Sequence, residues 1–449
     1  MEPRENKMGT MPIPKLLITM SLPMMISMLV QAMYNIVDSI FVAQIDEYAL
    51  TAVSLAFPIQ NLMIAVGSGT GVGINALLSR SLGEKNPEEA SRAANNGIFL
   101  AALSYLAFCI LGLVISRPFF ASQTDNQQIV EYGVQYMSVI CIFSFGIFMQ
   151  MTFERLLQAT GRTFFTMITQ GIGAITNIIM DPILIFGLFG FPKMGVWGAA
   201  AATVAGQILA ATLALIFNLK KNHDITLQLR GFRPNGRVIS IIYKVGVPSI
   251  IMMAIGSVMT FGFNKILLQF TTTATAVFGV YFKLNSFAFM PIFGMNNGII
   301  PIIAYNYGAR NRERITQALK LGIIIAVCIM CFGLAAFQFI PDKLLLLFNA
   351  SEHMITIGVP ALRIISLSFL FAGYCIVVGS VFQALGSSIY SLWVSLARQL
   401  FILLPAAYLL AKLGGLHAVW WSFDIAEIAS VIMSTFFLIK IFKEKLADL

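Results

Sequence analysis

The chain has 449 residues, of which 58% are hydrophobic and only 11% charged, with a mean hydropathy of +0.83. That is more apolar surface than one soluble core can hide, which excludes a water-soluble globular protein. The net charge of +9 does not form a nucleic-acid-binding stripe, because the Lys and Arg sit in loops between long apolar runs.

Those runs have the length that crosses a bilayer as helix. Twelve spans are predicted, at about 15–44, 51–78, 95–116, 129–156, 163–190 and 195–219, then 239–268, 276–304, 320–340, 355–382, 388–411 and 416–439. None alternates with the period of a membrane strand, so the class is all-helical. The first run is too long for the apolar part of a signal peptide and no small-residue cleavage site follows it, so it is expected to stay in the mature protein. With the N-terminus inside, 21 of the 29 Lys and Arg fall in cytoplasmic segments or at the cytoplasmic edges of spans, four in outer loops (Arg117, Lys193, Lys343, Lys412) and four in the interior of spans. This asymmetry predicts both termini in the cytoplasm.

Landmarks recur at one offset of 225 residues. Pro23 matches Pro248, Gly69 and Gly73 match Gly294 and Gly298, LGEKNPEEASRAANNG matches YGARNRERITQALKLG, and LLQATG matches VFQALG. Each repeat holds six spans, an even number, so both start on the same side. The predicted fold is an all-α integral membrane protein with 12 transmembrane helices in two parallel six-helix repeats, related by a pseudo-twofold axis along the membrane normal. The lobes are assigned to 1–219 and 239–449, with a cytoplasmic loop at 220–238. Such halves suit a transporter that rocks one lobe against the other.

Residues that break the repeat carry information about function. Asp38 corresponds to Phe263, and Asp181 to Ala406 or, with the prolines aligned, to Leu404. A charged side chain in hydrocarbon costs at least ~2.5–3.5 kcal/mol, so two acids that folding does not require call for a role. Asp38, Asp181 and Thr203 are expected at a common depth of roughly 10–12 Å below the outer face. Asn177 precedes Asp181 by one turn, Gln31 and Asn35 share the face of Asp38, and Pro182 frees a carbonyl and bends its helix. No basic residue is expected within the spans of the first lobe, and a buried carboxyl without a counter-charge favours its protonated form. An oxygen-lined proton or sodium site follows. In the second lobe Lys265, Lys283, Arg363 and Arg398 accompany Asp424 and Glu427, which read as ion pairs or as contacts to substrate.

Other motifs carry less. GSGTGVG (67–73) lacks the Lys-Ser/Thr ending of a phosphate loop and is assigned to close helix packing through Gly67/Gly71 and Gly69/Gly73, so ATP is not expected to drive the chain. The five cysteines all lie in spans, and Cys328 and Cys331 in CIMC have no second pair, so inert packing is expected. Three scattered histidines give no metal site, and no acid/base or metal set suggests an enzyme. Some of the 23 Met and 37 Phe are assigned to a compliant cavity that accepts varied apolar ligands.

Pro23 and Asp38 on span 1, LGEKNPEEASRAANNG after span 2, LLQATGRT after span 4, NIIMDP on span 5 and GVWGAAAATVAGQ on span 6 together resemble the multidrug and toxic compound extrusion (MATE) transporters. The resemblance covers nearly the whole chain. It implies export of small-molecule drugs and dyes, often organic cations, in exchange for H+ or Na+, by alternating access and without an enzymatic cofactor. The family's first-lobe cation site carries over to Asp38, Asn177, Asp181 and Thr203, with Gln31, Asn35, Pro23 and Pro182 as neighbours. Lys283, Arg398, Asp424 and Glu427 are left for substrate contact or lobe stabilisation. Acids that some sodium-coupled members carry on spans 7 and 10 are missing, which is similar to the bacterial MepA-like branch. A functional monomer in a bacterial cytoplasmic membrane, with lipid as its only other partner and no nucleic acid, is implied. The rival reading is a flippase for lipids or lipid-linked sugars from the related superfamily.

Overall fold

The computed structural model describes residues 5–228 and 230–449. The first four residues of the predicted first lobe, and Leu229 of the predicted connecting loop, lie outside them. In chain order the helices are a short α1 (Lys7–Thr10), then α2 (Ile13–Ala43), α3 (Glu47–Gly83), α4 (Pro87–Ala121), α5 (Gln127–Ile142), α6 (Phe145–Ala159), α7 (Thr163–Phe186) and α8 (Val196–Lys221). After the connecting loop come α9 (Gly236–Leu268), α10 (Thr272–Gly308), α11 (Arg312–Phe339), α12 (Pro341–Leu346), α13 (Glu352–Ser366), α14 (Phe369–Ala384), α15 (Ser388–Leu396), a π-helical segment (Ala397–Leu403), α16 (Leu404–Val419) and α17 (Ser422–Lys445). Ten of these stretches are long and apolar enough to cross a membrane. The pairs α5/α6 and α13/α14 bring the number to twelve, each a span bent at its break, by 44° and 48°.

The sequence repeat is written into local structure. Helices starting at equivalent places are capped by equivalent side chains. Asp46 and Thr271 accept from the N–H of Ala49 and Ala274 at 2.7 and 3.0 Å, and Asn86 and Asn311 accept from Glu89 and Arg314 at 3.1 and 3.2 Å. Asn126 and Ser351 form a third such pair. Each cap satisfies an N–H that the helix itself cannot, and its loss to alanine costs ~1 kcal/mol. Before two of these caps Lys85 and Arg310 both adopt φ 57°, the left-handed turn that reverses the chain between spans.

The halves meet through small residues that let backbones touch. Gly69 of α3 lies on Ile250 of α9, and Gly294 of α10 lies on Met25 of α2, the same contact displaced by one repeat. Closer to the end of the molecule that carries both termini, Gly83 faces the Tyr305 backbone and Gly308 the Arg80 backbone. The first helix of each half also crosses over. Ile13, Leu16, Leu17 and Met20 belong to the hydrophobic core of the second half, and Val238 and Ile242 to that of the first. The predicted helix-packing role of GSGTGVG is met. Gly69 and Gly73 pack on α9, while Gly67 and Gly71 face Met151 and Arg155 of α6.

Two segments tie the terminal end together. The connecting loop is held to α4 by side chains of the ASRAANNG motif: Ser91 accepts from the Thr226 N–H (2.9 Å), Asn95 pairs with Thr226 and Gln228, and Asn96 accepts from the Asn235 N–H (2.9 Å). The segment before α2 is wedged between the halves. Asn6 donates to the Thr160 carbonyl (2.9 Å) and to Asp224 (3.2 Å) on one side. On the other, the Met8 carbonyl accepts from Asn306 (3.0 Å) and Arg314 (2.9 Å), and the Met11 carbonyl from Arg314 (2.7 Å). Met8 is wholly buried. Burial of Lys7, with Arg162 nearby, holds its ammonium below the usual lysine range.

CIMC departs from expectation. Cys328 and Cys331 are free and exposed on the outer face of α11 rather than packed inside. No group of ligating side chains among the described residues is placed to hold a metal ion.

Candidate functional site

Three helices build the first-half site. α7 packs on α8, where the backbones of the small residues Gly173 and Gly206 touch, and on α2, which brings side chains from all three helices together. Asp181 (0% exposed) and Asp38 place their carboxyls within hydrogen-bonding reach of each other. Asn177, one turn before Asp181, satisfies both ends of its amide when Nδ2 donates to Asp181 Oδ2 (3.1 Å) and the oxygen accepts from the Thr203 N–H (3.0 Å) and hydroxyl (3.1 Å). The Thr203 hydroxyl also lies 3.1 Å from the Ala199 carbonyl at its own helix turn. Oδ1 of Asp38 and Oδ1 of Asp181 are buried and have no protein partner.

The four residues expected to act together therefore do meet, and a cavity of about 550 Å³ opens beside them. Gln31, Asn35, Asp38, Asn177 and Thr203 line it. Other expectations need correction. Pro23 sits fifteen residues before Asp38, about 22 Å along α2, and does not line the cavity. Its neighbours Met24 and Met25 pack on Gly294 of the second half. Pro182 lies inside α7, which runs on to Phe186, and it does not line the cavity. Asp38 and Asp181 each lie five residues from the end of their helix and Thr203 seven from the start of its own, so the site is about 7–11 Å from those ends.

The first half also holds a basic side chain within its helices, contrary to expectation. Arg155 of α6 is 8% exposed, but it does not meet either aspartate. It donates to Gln158 (3.0 Å), to Ser68 (3.2 Å) and, across to the second half, to Asn297 (3.0 Å). Its neighbour Glu154 lines the same cavity as Asp38 and accepts from Gln150 (3.1 Å), Thr169 (2.8 Å) and Gln170 (2.9 Å). The repeat test that singled out Asp38 finds both residues, since their counterparts are Gly379 and Ser380. Tyr34, one turn before Asp38, and Tyr136, which accepts from Gln60 (2.9 Å), complete the polar wall; helical spacing alone reveals the first.

Arg155 supplies one of the polar bonds between the halves, and a buried hydrogen bond to a charged group contributes ~1.5–3 kcal/mol. In a double-mutant cycle of Arg155→Met with Asn297→Leu, thermal unfolding in detergent is expected to show a coupling of at least ~0.5 kcal/mol. Strict additivity would remove the link.

The MatE family pattern matches residues 23–183 and again 248–409, the second match beginning 225 residues after the first. The chain belongs to the MATE family. Similar members include the multidrug export protein MepA of Staphylococcus haemolyticus, 25% identical over 94% of this chain and 92% of that one. MepA of Staphylococcus aureus strain MSSA476 is 26% identical over 93% and 91%. Among solved structures, an outward-facing multidrug resistance MATE family transporter superposes with a TM-score of 0.91 at 25% identity, covering 98% of both chains. A MOP superfamily transporter from Pyrococcus furiosus gives 0.87 at 25%, again covering 98% of both. Those two solved structures share this chain's fold over nearly its whole length.

In the second half of this MATE chain the expected ion pairs reduce to one, Arg398 with Glu427 at 3.4 Å. Lys265 lies over the Phe261 ring at 5.0 Å and Lys283 near the Phe348 ring at 5.8 Å, while Arg363 donates to the Gln338 carbonyl (3.2 Å). Asp424 has no partner on either oxygen.

Proposed function

We propose that the chain is a secondary multidrug exporter that moves organic, often cationic, compounds out of the cell in exchange for H+ or Na+ bound at Asp38, Asn177, Asp181 and Thr203. The observation that carries this reading is the facing pair of carboxyls, each with one orphaned buried oxygen and neither met by a Lys or Arg. Two acids in contact need a proton or a cation between them, and an incoming ion supplies it. The Asn177 amide, bound to Asp181 at one end and α8 at the other, relays the change from α7 to α8.

On this reading the lobes are residues 1–219 and 239–449, the termini face the cytoplasm of a bacterium, and one copy suffices. The glycine contacts, Arg155 and the segment at Asn6–Met11 close the cytoplasmic side. Ion entry from outside neutralises the pair and biases the repacking of α2, α7 and α8 that accompanies drug release, after which the lobes rock to open the other end.

Everted vesicles loaded with the chain separate the coupling ions. Ethidium uptake under a pH gradient alone, and under a sodium gradient alone, is expected to proceed with one or both. Uptake under neither would overturn the exchanger reading, and transbilayer movement of lipid in its place would favour the flippase.

A further inference from the structure

The 225-residue repeat puts two carbonyls in equivalent turns at the end that carries both termini, Thr160 after α6 and Leu385 after α14. They are served differently. The Thr160 carbonyl accepts from Asn6 (2.9 Å) and Arg162 (3.0 Å), and both donors also reach the Asp224 carboxylate. Positive charge in that turn is met by a built-in acid. The Leu385 carbonyl accepts instead from the Lys445 ammonium (2.6 Å), and the position equivalent to Asp224 is Leu449, an apolar side chain packed on the second-half core.

The charges around Lys445 widen the difference. Arg80 on α3 of the first half and Lys244 on α9 of the second lie within electrostatic reach of it, and their repeat equivalents at the other turn are the neutral Tyr305 and Thr19. Burial, with these two cations nearby, holds the Lys445 pKa down to about 8. The nearby acids are engaged elsewhere, Glu84 with Arg80 at 2.9 Å, and Glu444 with Lys440 at 3.9 Å and the Tyr390 hydroxyl at 3.3 Å. Asp448 is exposed, and among the described residues no carboxylate pairs with Lys445 or Lys244. One half therefore holds an anion at this place and the other half lacks it.

We propose that Arg80, Lys244 and Lys445 together bind the phosphate of an anionic phospholipid headgroup, which takes the part that Asp224 plays in the other half. Depth favours a lipid over a free anion. Arg80 stands two residues and Lys445 six past the predicted ends of their spans, about 3–9 Å on, which is the headgroup layer. Long basic side chains reach that layer readily, and lipid phosphate is concentrated there. Arg80 belongs to the first half and the two lysines to the second, so a bound phosphate bridges the seam. It offsets like-charge repulsion and holds that end shut, whatever the chain carries.

Native mass spectrometry of the purified full chain, titrated with phosphatidylglycerol, tests this. Lys244→Gln and Lys445→Gln are each expected to weaken the first bound lipid about fivefold, while Arg233→Gln, which removes the same charge from the connecting loop, leaves it unchanged. Equal loss in all three variants would reduce the effect to diffuse surface charge and overturn the site. Lys445→Gln also alters the bond to the Leu385 carbonyl, so Lys244→Gln decides where the two disagree, because its side chain is exposed and forms no ion pair. Undiminished affinity in Lys244→Gln defeats the proposal. Phosphatidylglycerol is also expected to raise the midpoint of thermal unfolding, and inorganic phosphate to leave it in place. Stabilisation by phosphate alone would make the ligand a free anion and overturn the lipid assignment.

Discussion

Asp38→Asn and Asp181→Asn should each lower ion-driven ethidium efflux by at least about tenfold, with insertion and folding kept. Asparagine has the shape of a protonated carboxyl and no charge to lose, so the pair can no longer report whether an ion has arrived. An ion drives the transition only through the difference in its affinity for the two states, about 1.4 kcal/mol for each tenfold shift, and the substitution removes that difference. Because the two carboxyls face each other, one substitution should disable the site as completely as two. Dye efflux in vesicles, with protein quantified in the membrane, is the measurement. Full activity in either single variant would refute the assignment of the pair. Thr203→Ala should be milder, since Asn177 retains the backbone N–H of residue 203 as a partner.

Adding one methyl group at Gly83 or Gly308 should spring the closed end apart. A Cβ at either position would meet backbone of the facing helix, the Tyr305 carbonyl in one case and that of Arg80 in the other, and backbone cannot swing aside as a side chain can. Overpacking of this kind costs ~1–3 kcal/mol, enough to move a balanced two-state equilibrium by one to two orders of magnitude. The expected result for Gly83→Ala and Gly308→Ala is a rise of about tenfold in the labelling rate of a cysteine placed at Ser79, a position that is buried in the closed form. Gly171→Ala is the control, because nothing lies within 4 Å of its added carbon. Equal labelling in all three variants would mean that the contact does not set the closure.

What the sequence made legible were features set by composition and by short periodicity. All twelve spans appear close to where apolar length placed them. The 225-residue register reappears in caps, in left-handed turns and in reciprocal contacts between the halves. Asp38, Asn177, Asp181 and Thr203 could be grouped because depth along a helix is counted in residues and because the repeat marks what folding alone does not need. Features that depend on contact between distant segments were not legible. Arg155 looked like a loop residue at the edge of a span, and only the approach of α10 shows that it is buried against Asn297. Arg398 and Glu427 are 29 residues apart on different helices, and the π-helical segment that carries Arg398 depends on local backbone geometry that Pro405 alone does not announce. Pro23 was drawn to the ion site by its place on the same helix as Asp38, but helix length separates them.

The wedge formed by Asn6, Met8 and Met11 also sets an order of assembly. Its partners Asn306 and Arg314 leave the ribosome about three hundred residues after it does, so the seal at that end cannot form while the first six helices are being inserted. Until then the early half carries an unfinished edge, with Met8 and the opening turns of α2 lacking the core that will bury them. Polypeptide fused ahead of Asn6 would be threaded into this final seam, whereas an extension after Leu449 would leave it free to knit.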